Sequence, residues 1–301
     1  MKTPDKFTAA IVQQSCSDDL QANLTNSIAL VQQAKAQGAQ LVLLQELHRS
    51  RYFCQTEDAK HFDLAESIPG PTSQQLAIVA ADLDIVLVAS LFEKRAPGLY
   101  HNTAIVLDRK QGLVGKYRKM HIPDDPGFME KYYFTPGDLG FHPIPTSLGK
   151  LGVLICWDQW YPEAARLMAL RGAELLLYPT AIGWDPQDTH NEQQRQLDAW
   201  MTIQRAHSIS NGLPVLTANR VGFEPTTTSS IEGIQFWGNS FITGSFGELL
   251  AQAGLDEQIL LAEINKGATE QTRRTWPFLR DRRIDQYSPL TQRYLDQQEE
   301  K

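Results

Sequence analysis

The stretch LGVLICWDQWYPEAARL, Leu151 to Leu167, carries an apolar run into a cysteine, then through polar and aromatic residues into a helical pattern. A cysteine in an apolar run often serves only as a small buried hydrophobe. Cys156, however, falls where a strand ends and a helix is about to begin. That position exposes a nucleophile and turns backbone N–H groups toward it, a setting expected to lower the thiol pKa. The N–H of Trp157 would then be poised to bind an oxyanion. Cys16 and Cys54 lack this setting and read as structural.

A nucleophilic thiol needs a base. Of the seven histidines, His121 in KMHIP and His207 in a long helical stretch are the candidates, each equally readable as an ordinary hydrogen-bonded histidine. Glu46 is a third candidate. It directly follows the apolar run Leu41-Val42-Leu43-Leu44, so it lies at a strand end, as a partly buried base or as a rim residue. Lys119, in KYRKMHIP, belongs either to a solvated basic stretch or to the inward face of a strand shared with Tyr117. Facing inward, its ammonium could stabilise a tetrahedral oxyanion.

The elements that must position these residues can be read from periodicity. Strands are predicted over FTAAIVQQ (Phe7 to Gln14), QLVLLQE (Gln40 to Glu46), IVLVASLFEKR, HNTAIVLD, LVGKYRKM, ELLLYPT, LPVLTANRVG, FWGNSFITG and QILLAEIN. Helices are predicted between Leu24 and Gly38, from a capping Thr72 to Asp84, over YPEAARLMALRG with Pro162 in its first turn, and over NEQQRQLDAWMTIQRAHSIS. Alternating strands and helices, with hairpin-like neighbours between, imply an α/β fold with mixed sheets. GAQLVLLQE (Gly38 to Glu46) is echoed by GAELLLYPT (Gly172 to Thr180), which suits two sheets packed face to face with helices outside.

The totals narrow the class. The chain has 301 residues, 42% hydrophobic and 21% charged, with no linker-like segment, so one domain over 1–301 is expected. A net charge of −7 and no basic patch interleaved with aromatics argue against nucleic acid. No run approaches a membrane span, and MKTPDKFTAA has no signal-peptide core, so a cytoplasmic protein with reduced thiols is expected. The three cysteines show no metal-site spacing.

Three stretches, LVLLQEL with Glu46, GKYRKMHIP with Lys119 and GVLICWDQWYPEAAR with Cys156, together resemble the nitrilase (carbon–nitrogen hydrolase) superfamily. That resemblance implies a four-layer αββα sandwich with two mixed sheets face to face, and a Glu-Lys-Cys triad needing neither metal nor organic cofactor. GFMEKYYFTPGD (Gly127 to Asp138) resembles the family loop bearing a further glutamate, here Glu130, which would orient Lys119 or the substrate.

Within the superfamily CWDQWYPEAAR, the run Trp184 to Asp188, TANRVG and WPFLRDRR are most similar to the N-carbamoylputrescine amidohydrolases, with Asp185 standing where that group carries glutamate. The likeness implies a small carbamoyl or amide substrate with a cationic far end, for which Asp185 and Asp188 are the candidate anchors. Trp157, Trp160 and Trp184 are candidate walls. The alternatives are a β-ureidopropionase or an ω-amidase, with Arg51, Arg195 or Arg220 meeting a substrate carboxylate, and a catalytically silent scaffold. A homo-oligomer built from dimers is also implied, its arginine-rich tail from about residue 270 packing on a neighbouring subunit.

Overall fold

The computed structural model describes residues 3–226 and 231–296. The first half of the chain forms β1 (Lys6–Gln13), α1 (Leu20–Ala36), β2 (Leu41–Leu43), α2 (Pro71–Asp82), β3 (Val86–Ala96), β4 (Leu99–Asp108), β5 (Gly112–Arg118), β6 (Ile144–Thr146) and β7 (Gly149–Val153). The second half forms α3 (Pro162–Leu170), β8 (Leu175–Pro179), β9 (Gly183–Trp184), α4 (His190–Asn211), β10 (Val215–Ala218), β11 (Val221–Pro225), β12 (Gly233–Trp237), β13 (Phe241–Thr243), β14 (Leu249–Gln252), β15 (Gln258–Asn265) and α5 (Lys266–Thr275).

Two six-stranded sheets result, in the orders β15-β1-β2-β3-β4-β5 and β14-β13-β10-β8-β7-β6, with a small third sheet β11-β12-β9. Each large sheet has a parallel centre, β1-β2-β3 in one and β7-β8-β10 in the other, flanked by antiparallel strands. The parallel centres are apolar on both faces because both are covered. Ile11, Leu43, Val88 and Val106 of the first sheet share one core with Val153, Leu177 and Val215 of the second. Val12, Val42 and Leu87 point the other way, onto Leu24 and Val31 of α1 and Leu76 and Ala80 of α2. Helices α3 and α4 lie against the second sheet. The layers therefore run αββα, as expected from the family likeness. No helix among the described residues is long and apolar enough to cross a membrane.

Several boundaries differ from the periodic reading, and each has a physical reason. The strand expected over Gln40 to Glu46 stops at Leu43. Beyond it the chain bends into the site, with Leu47 at φ +48°. The run LPVLTANRVG divides into β10 and β11, because Asn219 and Arg220 leave the sheet to cross into the third one. FWGNSFITG divides likewise at Gly238 and Asn239, whose φ values of +55° and +52° break a ladder. Helix α2 begins at Pro71, before Thr72, with Gly70 N–H donating to Ser73 Oγ at 2.8 Å. The tail starts as α5, capped by the Asn265 side chain, and leaves Ile284, Leu290, Tyr294 and Leu295 exposed.

Candidate active site

The echoed segments meet where their strands end. After β2 the Glu46 N–H donates to the carbonyl of Thr180, which follows β8, at 3.3 Å. Both strands lie at the centres of their sheets, so their carboxyl ends open on the same side of the sandwich, as parallel strands in sheet enzymes do.

Lys119 lies one residue past β5, its N–H still bonded to Asn102 O at 2.9 Å and its carbonyl accepting from Gly137 N–H at 2.8 Å. A Cβ at Gly137 would collide with the Arg118 carbonyl, so glycine lets the FTPGD loop lie flat against this strand end. The Lys119 ammonium is fully buried and donates to Glu46 Oε1 at 2.8 Å and to Glu130 Oε1 and Oε2 at 2.9 and 2.7 Å. Burial alone would depress this lysine. The charges of Glu130, Glu46 and Cys156 outweigh it and hold the ammonium well above its usual value.

Glu46 is equally buried, and Asn102 Nδ2 donates to its Oε1 at 2.6 Å. Its other oxygen, Oε2, is buried without a hydrogen-bond partner. A carboxylate with one oxygen clamped and the other free is placed to accept a proton. Glu130 takes a second donor, Tyr52 OH, at 2.6 Å. Its carboxyl is pushed up to about 7, by burial first and by the like charge of Glu46, against the pull of Lys119.

Cys156 opens a 3-10 turn, Cys156–Trp160, rather than preceding α3 directly. Its φ of +43° is a left-handed conformation that costs a non-glycine residue roughly 1 kcal/mol or more. Asp158, fully buried, holds this turn. Its Oδ2 accepts from Ile155 N–H at 2.9 Å and from Tyr117 OH at 2.8 Å, and its Oδ1 from the N–H and Nδ1 of His121 at 3.0 and 2.7 Å. One carboxylate thus ties the cysteine turn to residues on both sides of Lys119.

The thiol is nearly buried and its Sγ lies 3.8 Å from Ala181 O. The expectation of a lowered thiol pKa fails. Burial and the charge of Glu46 push it well above its ordinary value, and Lys119 offsets only part of this. Burial thus favours the neutral thiol over the thiolate.

The histidine candidates are committed elsewhere. His121 stacks on Tyr161 at 3.8 Å between centroids besides bonding Asp158, and His207 Nε2 pairs with Gln159 O at 2.8 Å.

Cys156 lines a cavity of about 480 Å³ with Trp157, Trp160, Asp185 and Asp188. Trp184 does not line it. Its indole donates to Gln193 O at 3.0 Å and packs 5.2 Å from Trp237, and Trp237 provides the wall instead. Sequence reading also missed Asp125 and Phe128 on the opposite rim. Asp125 lies two residues before the Glu130 motif and Phe128 within it, the one signal that could have suggested them.

Of the three arginines offered for a substrate carboxylate, only Arg195 reaches the cavity, and both its Nε and Nη2 are held by Glu192 at 2.8 Å. Arg51 pairs with Asp18 beside a separate cleft of about 460 Å³ that contains none of Glu46, Lys119 and Cys156. Arg220 is wholly buried.

The chain resembles known proteins in both sequence and fold. The carbon-nitrogen hydrolase family model matches residues 8–274. An N-carbamoylputrescine amidase of Solanum lycopersicum is 42% identical over 94% of both chains. A citrullinase of Francisella tularensis is 40% identical over 95% of this chain and 98% of its own. A crystal structure of a carbon-nitrogen hydrolase from Helicobacter pylori superposes with a TM-score of 0.94 at 52% identity, covering 96% of this chain and all of that one.

Proposed function

The chain belongs to the carbon–nitrogen hydrolase family, and from that premise we propose that it removes the terminal carbamoyl group of N-carbamoylputrescine by cysteine catalysis. The observation that carries the chemistry is the unpartnered Glu46 Oε2, in a carboxylate bonded to Lys119 and acting electrostatically on the Cys156 thiol.

Glu46 takes the thiol proton as Sγ attacks the carbonyl carbon. The oxyanion forms against the Lys119 ammonium and the Trp157 N–H, each such donor supplying about 3 kcal/mol of barrier lowering. Glu46 returns the proton to departing ammonia, leaving a carbamoyl thioester. It then deprotonates a water that displaces the sulfur. The carbamate released loses carbon dioxide to give putrescine. Glu130 keeps Lys119 oriented and charged throughout.

The mouth of the cavity supports the substrate class. Asp125 is exposed, and Asp185 and Asp188 are half-buried, against one arginine already paired. A cationic far end suits such a rim; a carboxylate would meet repulsion. The name of the N-carbamoylputrescine amidase points the same way, since that substrate ends a short alkyl chain in a ureido group and carries an amine at the other end; citrulline shares the ureido end but bears a carboxylate beside its amine. Trp157, Trp160 and Trp237 would flank the alkyl portion.

We assign the exposed apolar residues of the tail to contacts within a homo-oligomer. The deciding measurement is ammonia release from N-carbamoylputrescine, citrulline and N-carbamoyl-β-alanine side by side. Highest kcat/KM on the first is expected, and preference for the last would overturn the substrate assignment.

A further inference from the structure

We propose that the buried ion pair Arg220–Glu224 is a positioning device that holds the two site carboxylates, Glu46 and Glu130, from behind. The inference rests on the reading of Glu46 as the base.

The chain leaving β2 turns away from its sheet, so its carbonyls lose their ladder partners in a place that solvent does not reach. Arg220 supplies the replacements. Its Nη2 donates to the carbonyls of Glu46 and Leu47 at 3.1 and 3.0 Å, and its Nη1 to the carbonyl of Ser50 at 2.9 Å. Nη1 also bonds Glu224 Oε1 at 2.6 Å. The guanidinium lies over the Phe236 ring, 5.3 Å from its centroid. The other Glu224 oxygen accepts from Tyr52 N–H at 2.6 Å, and Tyr52 OH is the donor to Glu130.

One ion pair thus grips residues 46, 47, 50 and 52, a loop that carries the base at one end and the Glu130 donor at the other. Leu47 adopts a positive φ in this loop, a conformation that persists only when its surroundings over-determine it. The planar fork of an arginine can meet three carbonyls and a carboxylate at once, whereas a lysine ammonium is a point charge and cannot. No part of Arg220 reaches the cavity, since the residue is 0% exposed and absent from the lining. Its effect must pass through the loop.

The test compares Arg220→Lys, the double variant Arg220→Met with Glu224→Gln, and Glu46→Gln. Thermal melting, kcat and KM for N-carbamoylputrescine, and the pH dependence of Cys156 alkylation by iodoacetamide are read for each. The double variant leaves no buried charge unpaired, so it guards against simple unfolding.

Arg220→Lys and the double variant are expected to lower kcat at least about tenfold with KM within about threefold, since a misplaced base loses transition-state stabilisation and not binding. Alkylation should slow in both across the neutral range while the folded baseline is retained. Parent-like kcat and alkylation in either folded variant would overturn the proposal, as would failure of both to fold, which would make the pair a stability element only. The two readings fail separately. Turnover surviving Glu46→Gln sinks the base assignment, whereas an inactive Glu46→Gln beside fully active Arg220 variants sinks the clamp alone.

Discussion

Lys119, Glu46 and Glu130, the floor of the site, are wholly buried off the cavity lining, with Lys119 bonded to both carboxylates at 2.7 to 2.9 Å, whereas at the cavity mouth Asp125 and Arg195 are exposed and Asp185 and Asp188 only half-buried. The same side-chain types do different work in the two places. On the floor, removal from water is costly, so each charge must be paired, and once paired it is fixed and strong. At the mouth, water and salt screen each carboxylate, which can attract a cation without being held in one geometry. The carboxylates there retain local bonds, Asp185 Oδ1 from Gln187 N–H at 2.9 Å and Asp188 Oδ2 from Gln196 at 3.1 Å, but no buried cation. Reaction is expected to depend on the floor and selection on the mouth.

Breaking the floor should have the largest effect. Lys119→Ala removes an oxyanion donor and leaves two buried carboxylates facing each other, so kcat should fall by roughly 10³-fold or more. Melting temperature should fall as well, since unpairing a buried charge costs about 3 to 5 kcal/mol. His121→Ala, whose ring bonds Asp158 and not the thiol, should lose under about tenfold in kcat, equivalent to about 1.4 kcal/mol. Equal losses in the two variants, from steady-state kinetics, would erase the distinction between a lysine triad and a histidine base.

A smaller effect should appear in the pH profile. Glu46 and Glu130 are like charges sharing one ammonium. Burial first, with the like charge of Glu46, raises the Glu130 carboxyl to about 7, so Glu130 holds a proton below that pH and loses it as pH rises through it. The rate kcat/KM should therefore climb on the acid limb with a midpoint near 7. Glu130→Gln, which removes that titrating group, should lower the rate and move the midpoint away from 7. A midpoint that stays where it was would show that Glu130 does not set it.

The smallest effect belongs to the mouth. Asp185→Asn should raise KM for N-carbamoylputrescine by about tenfold, or about 1.4 kcal/mol, while kcat changes by less than about twofold. The uncharged N-carbamoylbutylamine should show no such change. A drop in kcat with KM intact would place Asp185 in the floor's class and blur the contrast.

The periodic reading found α1 to α4 and most strands because α1, α2 and the parallel centres bury apolar patterns, and it missed α5, which buries only Thr269. It ran β2 on to Glu46 and fused β10 with β11, since apolar residues continue past the point where backbone pairing stops. Glu46, Lys119 and Cys156 were singled out from strand ends and the family likeness, and Glu130 from the likeness alone; the structure brings Glu46 and Glu130 onto Lys119. Trp184 was named as a wall and Trp237 was not, since only packing separates the one against Gln193 from the one against the cavity. Arg220 likewise read as a possible anion site, because nothing local tells an arginine that faces a ligand from one that faces carbonyls.

What the sequence determined by itself is the set of local frames: an acid after one apolar strand, a lysine on the inward alternation of another, and a cysteine at a strand-to-turn junction. These follow from side-chain period and turn chemistry within a few residues. What only the tertiary structure decided is how those charges are paired, which oxygen of Glu46 stays free, and that the thiol is raised and not lowered. The reason is that protonation and orientation depend on burial and on partners from remote segments. Glu46 and Lys119 stand 73 residues apart in the chain yet 2.8 Å apart in space, a pairing that no local pattern encodes.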